Sequence, residues 1–168
     1  MAIISAVTYF KKYPIDLDVS APIKIELIDL VTDYCEEIYL KKLLGITEYY
    51  KYLADKGQVT HDPKYTALLT AANFEYQSKT YRLDVKQMIA YFTYSECLVK
   101  NTSDSTSLGE TSSNVEGTAK VSFAHKYWNA FNLGVELYDQ AKLYLINQSS
   151  DFPDCESEII NKGNIYGI

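Results

Sequence analysis

Arginine is almost missing from these 168 residues. Arg82 is the single guanidinium among sixteen basic side chains, set against twenty-two acids and a net charge of −6. Proteins that grip nucleic acid without reading its sequence neutralise phosphates with clustered lysine and arginine. That class is excluded by this balance, although an acidic wall that repels phosphate suits a channel through which DNA must slide. Cysteine is sparse as well. Cys35, Cys97 and Cys155 are odd in number and far apart, with no CxxC pair and no histidine beside any of them. Reduced, mostly buried thiols are the reading, not a disulfide framework or a zinc site. No apolar run approaches the roughly 20 residues that cross a bilayer. No basic stretch precedes the apolar Met1–Val7, so a signal peptide is not expected and a cytoplasmic origin is.

Catalytic signatures are equally thin. There is no HxxxH, GxSxG, phosphate-binding glycine loop or GxGxxG. His61 precedes an Asp-Pro helix start and His125 lies early in a long helix, and both positions read as structural. One carboxylate constellation stands out. Asp33 and Glu36 are three apart on one predicted helix, and Glu136 and Asp139 are three apart on another. Facing pairs of this kind hold Mg²⁺ in helical nucleotide phosphohydrolases. Solvated helix faces produce the same spacing by chance, and that origin is the commoner one. A small regulatory binding module is a third reading.

What the chain has in excess is tyrosine: sixteen, against six phenylalanines and one tryptophan. A ring with a polar tip tolerates half-buried positions and is enriched at subunit interfaces. The periodicity predicts a mainly α protein with two long helices. A short helix over Ala6–Tyr13 stops at Pro14. The first long helix starts after Ser20, with Pro22 in its first turn, and runs to about Leu44 on a stripe of Ile23, Leu27, Leu30/Val31, Tyr34, Ile38 and Leu44. Gly45 is placed as its left-handed cap. A short helix over Thr47–Lys56 carries Tyr49, Tyr50, Tyr52 and Leu53, and Asp62-Pro63 opens another to about Ala72. Residues 74–83 read as a small β-hairpin whose turn lacks glycine. Asp84, with Gln87 three residues on, starts a helix to Lys100. Half of Asn101–Thr118 is serine or threonine, which predicts a mobile loop. The second long helix runs from near Thr118 to Asn147 on Phe123, Tyr127, Phe131, Val135, Tyr138, Ala141 and Leu145. Ala130 and Gly134 there let another helix approach closely. The tail beyond Ser149 is broken by Pro153 but is too apolar, with Phe152, Ile159, Ile160, Ile165 and Tyr166, to be a plain disordered end.

The order of these elements carries a resemblance. Phe10-Lys11-Lys12-Tyr13-Pro14-Ile15 is followed by a long helix ending Tyr39-Leu40-Lys41-Lys42-Leu43-Leu44-Gly45. Then come Glu48-Tyr49-Tyr50-Lys51-Tyr52-Leu53, Met88-Ile89-Ala90-Tyr91-Phe92-Thr93-Tyr94, a Ser/Thr/Gly loop, Asn132-Leu133-Gly134-Val135-Glu136-Leu137-Tyr138 and Phe152-Pro153. This resembles the small head–tail connector (adaptor) proteins of tailed bacteriophages, particularly the Bacteroidetes-phage and crAss-like type. The likeness covers nearly the whole chain, through patterned rather than catalytic motifs. It implies a non-enzymatic virion protein without cofactor or metal, made in the host bacterial cytoplasm. It implies a homo-oligomeric ring, commonly of twelve copies, between portal protein and tail proteins. Double-stranded DNA would pass through without specific binding, and no membrane is involved. On that expectation residues 1–148 form the connector domain, with a mobile loop at 101–118, and residues 149–168 form a C-terminal arm. The hairpin and arm would engage adjacent chains through Tyr76, Tyr81, Phe152, Ile159, Ile160, Ile165 and Tyr166.

Overall fold

A computed structural model describes residues 22–103 and 123–163. The helix expected at Ala6–Tyr13, most of the Ser/Thr-rich loop, and the expected interface residues Ile165 and Tyr166 lie outside the described residues. The elements in order are α1 (Pro22–Cys35), a π-helical turn (Glu36–Leu40), α2 (Lys41–Lys56), α3 (Pro63–Leu69), β1 (Ala72–Tyr76), β2 (Lys79–Leu83), α4 (Val85–Ser103) and α5 (Phe123–Asn147). The protein is mainly α, with one antiparallel hairpin and an extended C-terminal arm.

The α1 helix and the first turn of α2 form one helical stretch interrupted by the π turn. A π turn holds an extra residue, so it rotates everything after it about the helix axis. The expected stripe put Leu30 or Val31, and Tyr34, inside; Val31 is buried, while Leu30 and Tyr34 are exposed. Ile28, Val31, Cys35, Tyr39 and Leu40 are the buried set, and Leu43 and Leu44 follow. Tyr39 stacks flat on Phe92 of α4, centroids 3.6 Å apart and planes 6° from parallel.

The α4 and α5 helices make the main helix pair. Gly134 explains how they come so close: a Cβ there would sit 2.9 Å from the Phe92 ring. Of the expected stripe on α5, Val135, Tyr138, Ala141 and Leu145 are buried, joined by Ala130, while Tyr127 and Phe131 are half-buried. The helix spans about 38 Å at 1.5 Å per residue. Asp84 caps α4 by accepting from the Gln87 amide at 3.0 Å. The α4 helix extends to Ser103, so the first residues of the expected loop are helical.

The hairpin pairs Ala72 with Leu83 through Tyr76 with Lys79, leaving Gln77-Ser78 as a two-residue loop. Both loop residues have positive φ, 49° and 62°. That is what a type I′ turn demands, and the turn matches the twist of the strands it joins. The hairpin packs on α5. Phe74 meets Tyr144 edge-on at 5.4 Å, and the Arg82 amide donates to the Gln140 side chain at 2.8 Å.

Candidate interaction surface

The C-terminal arm is a strap, and its seat begins where the first helical stretch ends. A helix leaves its last carbonyls without intrahelical partners. Here the partners come from more than a hundred residues downstream. The Glu156 amide donates to the Leu44 carbonyl at 3.3 Å and the Glu158 amide to the Lys42 carbonyl at 2.8 Å. The Ser157 hydroxyl and the Cys155 thiol both donate to the Leu43 carbonyl. Gly45 makes room for this. Its φ of 76° and ψ of 166° lie in a region closed to other residues, beyond the left-handed helical cap expected there. A Cβ at Gly45 would also meet the Glu156 nitrogen at 2.9 Å.

The arm then runs back along α5. The Glu158 carbonyl accepts from the Tyr138 hydroxyl at 3.0 Å and from the Lys142 ammonium at 3.1 Å. Lys162 pairs with Glu136 at 2.6 Å. The Asn132 side chain makes two bonds to Gly163, donating to its carbonyl at 3.0 Å and accepting from its amide at 2.9 Å. Gly163 lies flat against Trp128, and a Cβ there would fall 1.8 Å from the indole. Burial pushes the Tyr138 phenol upward, with the Glu158 charge adding to the shift. Burial likewise raises the Cys155 thiol.

At its root the strap is pinned by a charge knot that the sequence did not advertise. Glu48 is 0% exposed. It accepts from the Lys64 ammonium at 2.6 Å and the Tyr65 hydroxyl at 2.7 Å, and its second oxygen lies 3.5 Å from the Lys51 ammonium. Burial alone would raise its carboxyl. The bonds from Lys64 and Tyr65 and the Lys64 and Lys51 charges outweigh burial and hold it below the usual carboxylate value. The same two lysines reach the strap: Lys64 donates to the Asp151 carbonyl at 3.0 Å, and Lys51 pairs with Asp154. Phe152 closes the knot, edge-on to Tyr65 at 6.2 Å. Open clefts of about 440 and 500 Å³ flank Phe152.

The residues expected at subunit contacts therefore divide. Phe152 is buried in this chain's own core, because its ring fills the space beside Tyr65. Ile160 is partly buried against that core. Tyr81 is half-buried in its cross-strand pair with Phe74, and Tyr76 is half-buried at the hairpin tip. Ile159 is 79% exposed on the outer side of the docked strap.

Sequence reasoning missed a second apolar surface. Ile46 (64% exposed), Tyr50 (59%) and Leu53 lie one and two turns apart on α2. They form a stripe facing away from the core, while Tyr49 and Tyr52 face in. The Tyr49, Tyr50, Tyr52 and Leu53 set of this helix is thus split between inside and outside. The signal was available: Ile46, Tyr50 and Leu53 have helical spacing of their own, out of phase with Tyr49 and Tyr52.

The four carboxylates weighed for Mg²⁺ are not gathered. Glu36 is buried and paired with Lys56 at 3.1 Å, and Glu136 is paired with Lys162. The helix bearing Asp33 and the helix bearing Glu136 and Asp139 each pack chiefly on α4. Asp139 is exposed, with desolvation raising its carboxyl. Among the described residues no group of three or more His, Cys, Asp or Glu side chains is placed to hold a metal ion. His61 sits in a loop, its Nδ1 3.1 Å from the Asp55 carbonyl, and His125 is exposed. No described helix is long and apolar enough to cross a membrane. No family model, curated protein or solved structure matches the chain.

Proposed function

We propose that this chain is a non-enzymatic building block of the neck of a tailed bacteriophage, forming a homo-oligomeric ring between portal and tail. The observation that carries the reading is the outward stripe of Ile46, Tyr50 and Leu53 on α2. Single exposed apolar residues are ordinary, but a row of them along one helix is a surface that gains by being covered. A ring built from one kind of chain covers such a row with a different patch of the next copy. The acidic balance fits the same role, since a wall of net charge −6 per chain holds DNA off and lets it pass. The resemblance of the element order to connector proteins supplies the location, with portal and tail proteins as neighbours above and below.

The test is to image the assembled particle and locate the chain. The expected result is a closed ring of copies in the neck, with the α2 stripe covered by a neighbour. Particles without the polypeptide overturn the reading. So does Mg²⁺-dependent turnover of a nucleotide that is lost in Glu136→Ala. A mobility-shift titration with duplex DNA at low salt adds a cheaper check, with no retardation expected.

A further inference from the structure

The strap is attached to its own domain in a way that does not depend on which copy supplies it. Apart from local amide bonds to the Gln148 and Phe152 carbonyls, the partners named for residues 152–163 lie upstream of residue 148, and most bonds run to backbone groups of the strap rather than to its side chains. The connection between α5 and the strap is Gln148–Asp151. It is a turn closed by local amide bonds, Asp151 to the Gln148 carbonyl at 2.9 Å and Phe152 to the same carbonyl at 3.2 Å. Ser149, Ser150 and Asp151 in that turn are exposed. An exposed polar hinge followed by a segment that docks through one fully buried ring, Phe152, and a row of hydrogen bonds is an arrangement that permits exchange of an element between identical copies. Opening the turn exposes a few amides to water and loses no apolar contact of its own.

We propose that the strap's seat is an intermolecular site, and that in the assembled protein it takes residues 152–163 of a neighbouring copy. This rests on the ring reading above and says how the ring is knitted. The neighbour's Phe152 fills the space beside Tyr65. Its residues 156 and 158 cap the helix end at Leu44 and Lys42, and its Gly163 lies on Trp128 under the Asn132 amide. Every bond between strap and seat is remade, so the exchange costs little more than the local bonds of the hinge. Holding neighbours side by side replaces one effective concentration by another of similar size. Ile159 supports this direction of reading. It is 79% exposed when the strap is docked on its own domain. When the strap comes from the next copy, the body of the donor lies alongside and can cover it.

The unmodified chain carries its own reporter. Lys162 and Glu136 are 2.6 Å apart and each is half exposed, so a zero-length carbodiimide can join them as an amide. Equal amounts of ¹⁴N- and ¹⁵N-labelled protein are mixed as single chains, concentrated until oligomers form, cross-linked and separated by size before mass spectrometry. In the oligomer fraction about half of the Lys162–Glu136 links should carry one label of each kind, as random neighbours dictate, while the single-chain fraction should carry none. Oligomers whose links are all of one label overturn the exchange and leave the ring standing. Failure to form oligomers at any concentration overturns both. Gly163→Val provides a second arm, because its side chain collides with Trp128 in either arrangement. It should shift the protein to single chains with helical circular dichroism unchanged, and oligomers of normal stability in this variant count against the proposal.

Discussion

Two sides of α5 can be set against each other. Toward α4, Ala130, Gly134, Val135 and Ala141 present a surface of small and apolar groups into which Phe92 fits. Toward the strap, Asn132, Glu136 and Lys142 present hydrogen-bonding groups that hold an extended backbone. Tyr138 serves both, its ring buried and its hydroxyl on the Glu158 carbonyl. The first side is held by shape and by exclusion of water, which fail steeply when volume changes. The second is held by exchangeable polar contacts that cost little to break and remake. A helix with one side of each kind can keep a rigid core while its strap changes partner.

The sharpest way to break this contrast is to attack the apolar side. Phe92→Ala removes the ring that stacks on Tyr39 and contacts Gly134, and should cost about 3–5 kcal/mol in denaturant unfolding. Gly134→Val should cost about 1–3 kcal/mol by forcing the same ring aside. A loss below about 1 kcal/mol for Phe92→Ala would show that the helix pair does not depend on this fit.

The charge knot lies between the two extremes, and its effect should depend on pH. Glu48→Ala leaves Lys64 and Tyr65 without their shared acceptor, and should cost about 3 kcal/mol at neutral pH. The carboxyl is held below its ordinary value of 4.5, so the stability it adds is fully present above that pH and is lost as pH falls through the folded-state value. The gap between the native protein and Glu48→Gln should therefore be widest near neutrality and shrink as the solution is taken below about pH 4.5. A gap that stays constant with pH would mean that the charge contributes nothing.

These regions also differ in how far they could be read in advance. The α4-facing side of α5 was legible because period alone defines it, down to the small residues at 130 and 134. So were the hairpin, the Asp84 cap and the existence of an arm, each marked by local composition. The π turn was not, since nothing in Glu36–Leu40 distinguishes it from ordinary helix. The inward phase of α1 was missed too: Leu30 and Tyr34 precede the π turn and are exposed, with Ile28, Val31 and Cys35 inside instead. Nor was the strap's seat legible. Its contacts join Asn132 to Gly163 and Leu43 to Cys155 and Ser157 across long stretches of chain, with no repeat to announce them. Glu48 stood inside a quoted motif as one acid among many, and only its burial singles it out.

On the polar side the expected effects are smaller. Tyr138→Phe keeps the buried ring and deletes one bond to the Glu158 carbonyl, so about 1 kcal/mol should be lost. Trp128 is the only tryptophan and lies under Gly163, so its fluorescence reports whether the strap has loosened. A Tyr138→Phe protein with unchanged stability and unchanged emission would mean that the strap is held elsewhere along its length.

The smallest effect separates the hairpin from both. Gln77 and Ser78 hold positive φ without the glycine or asparagine that such positions favour, and each pays a conformational penalty for it. Ser78→Gly removes the clash of Cβ with the backbone at the second loop position, while the greater freedom of glycine in the unfolded chain returns part of the gain. The net should be a stabilisation of about 0.5–1 kcal/mol, visible as a raised unfolding midpoint. Because the hairpin rests on α5 through Phe74 and Tyr144, the gain should appear in global unfolding and not only in the turn. If Ser78→Gly protects only the hairpin amides from hydrogen exchange and leaves the midpoint unmoved, the hairpin opens independently of the helices, and its packing on α5 contributes no cooperativity.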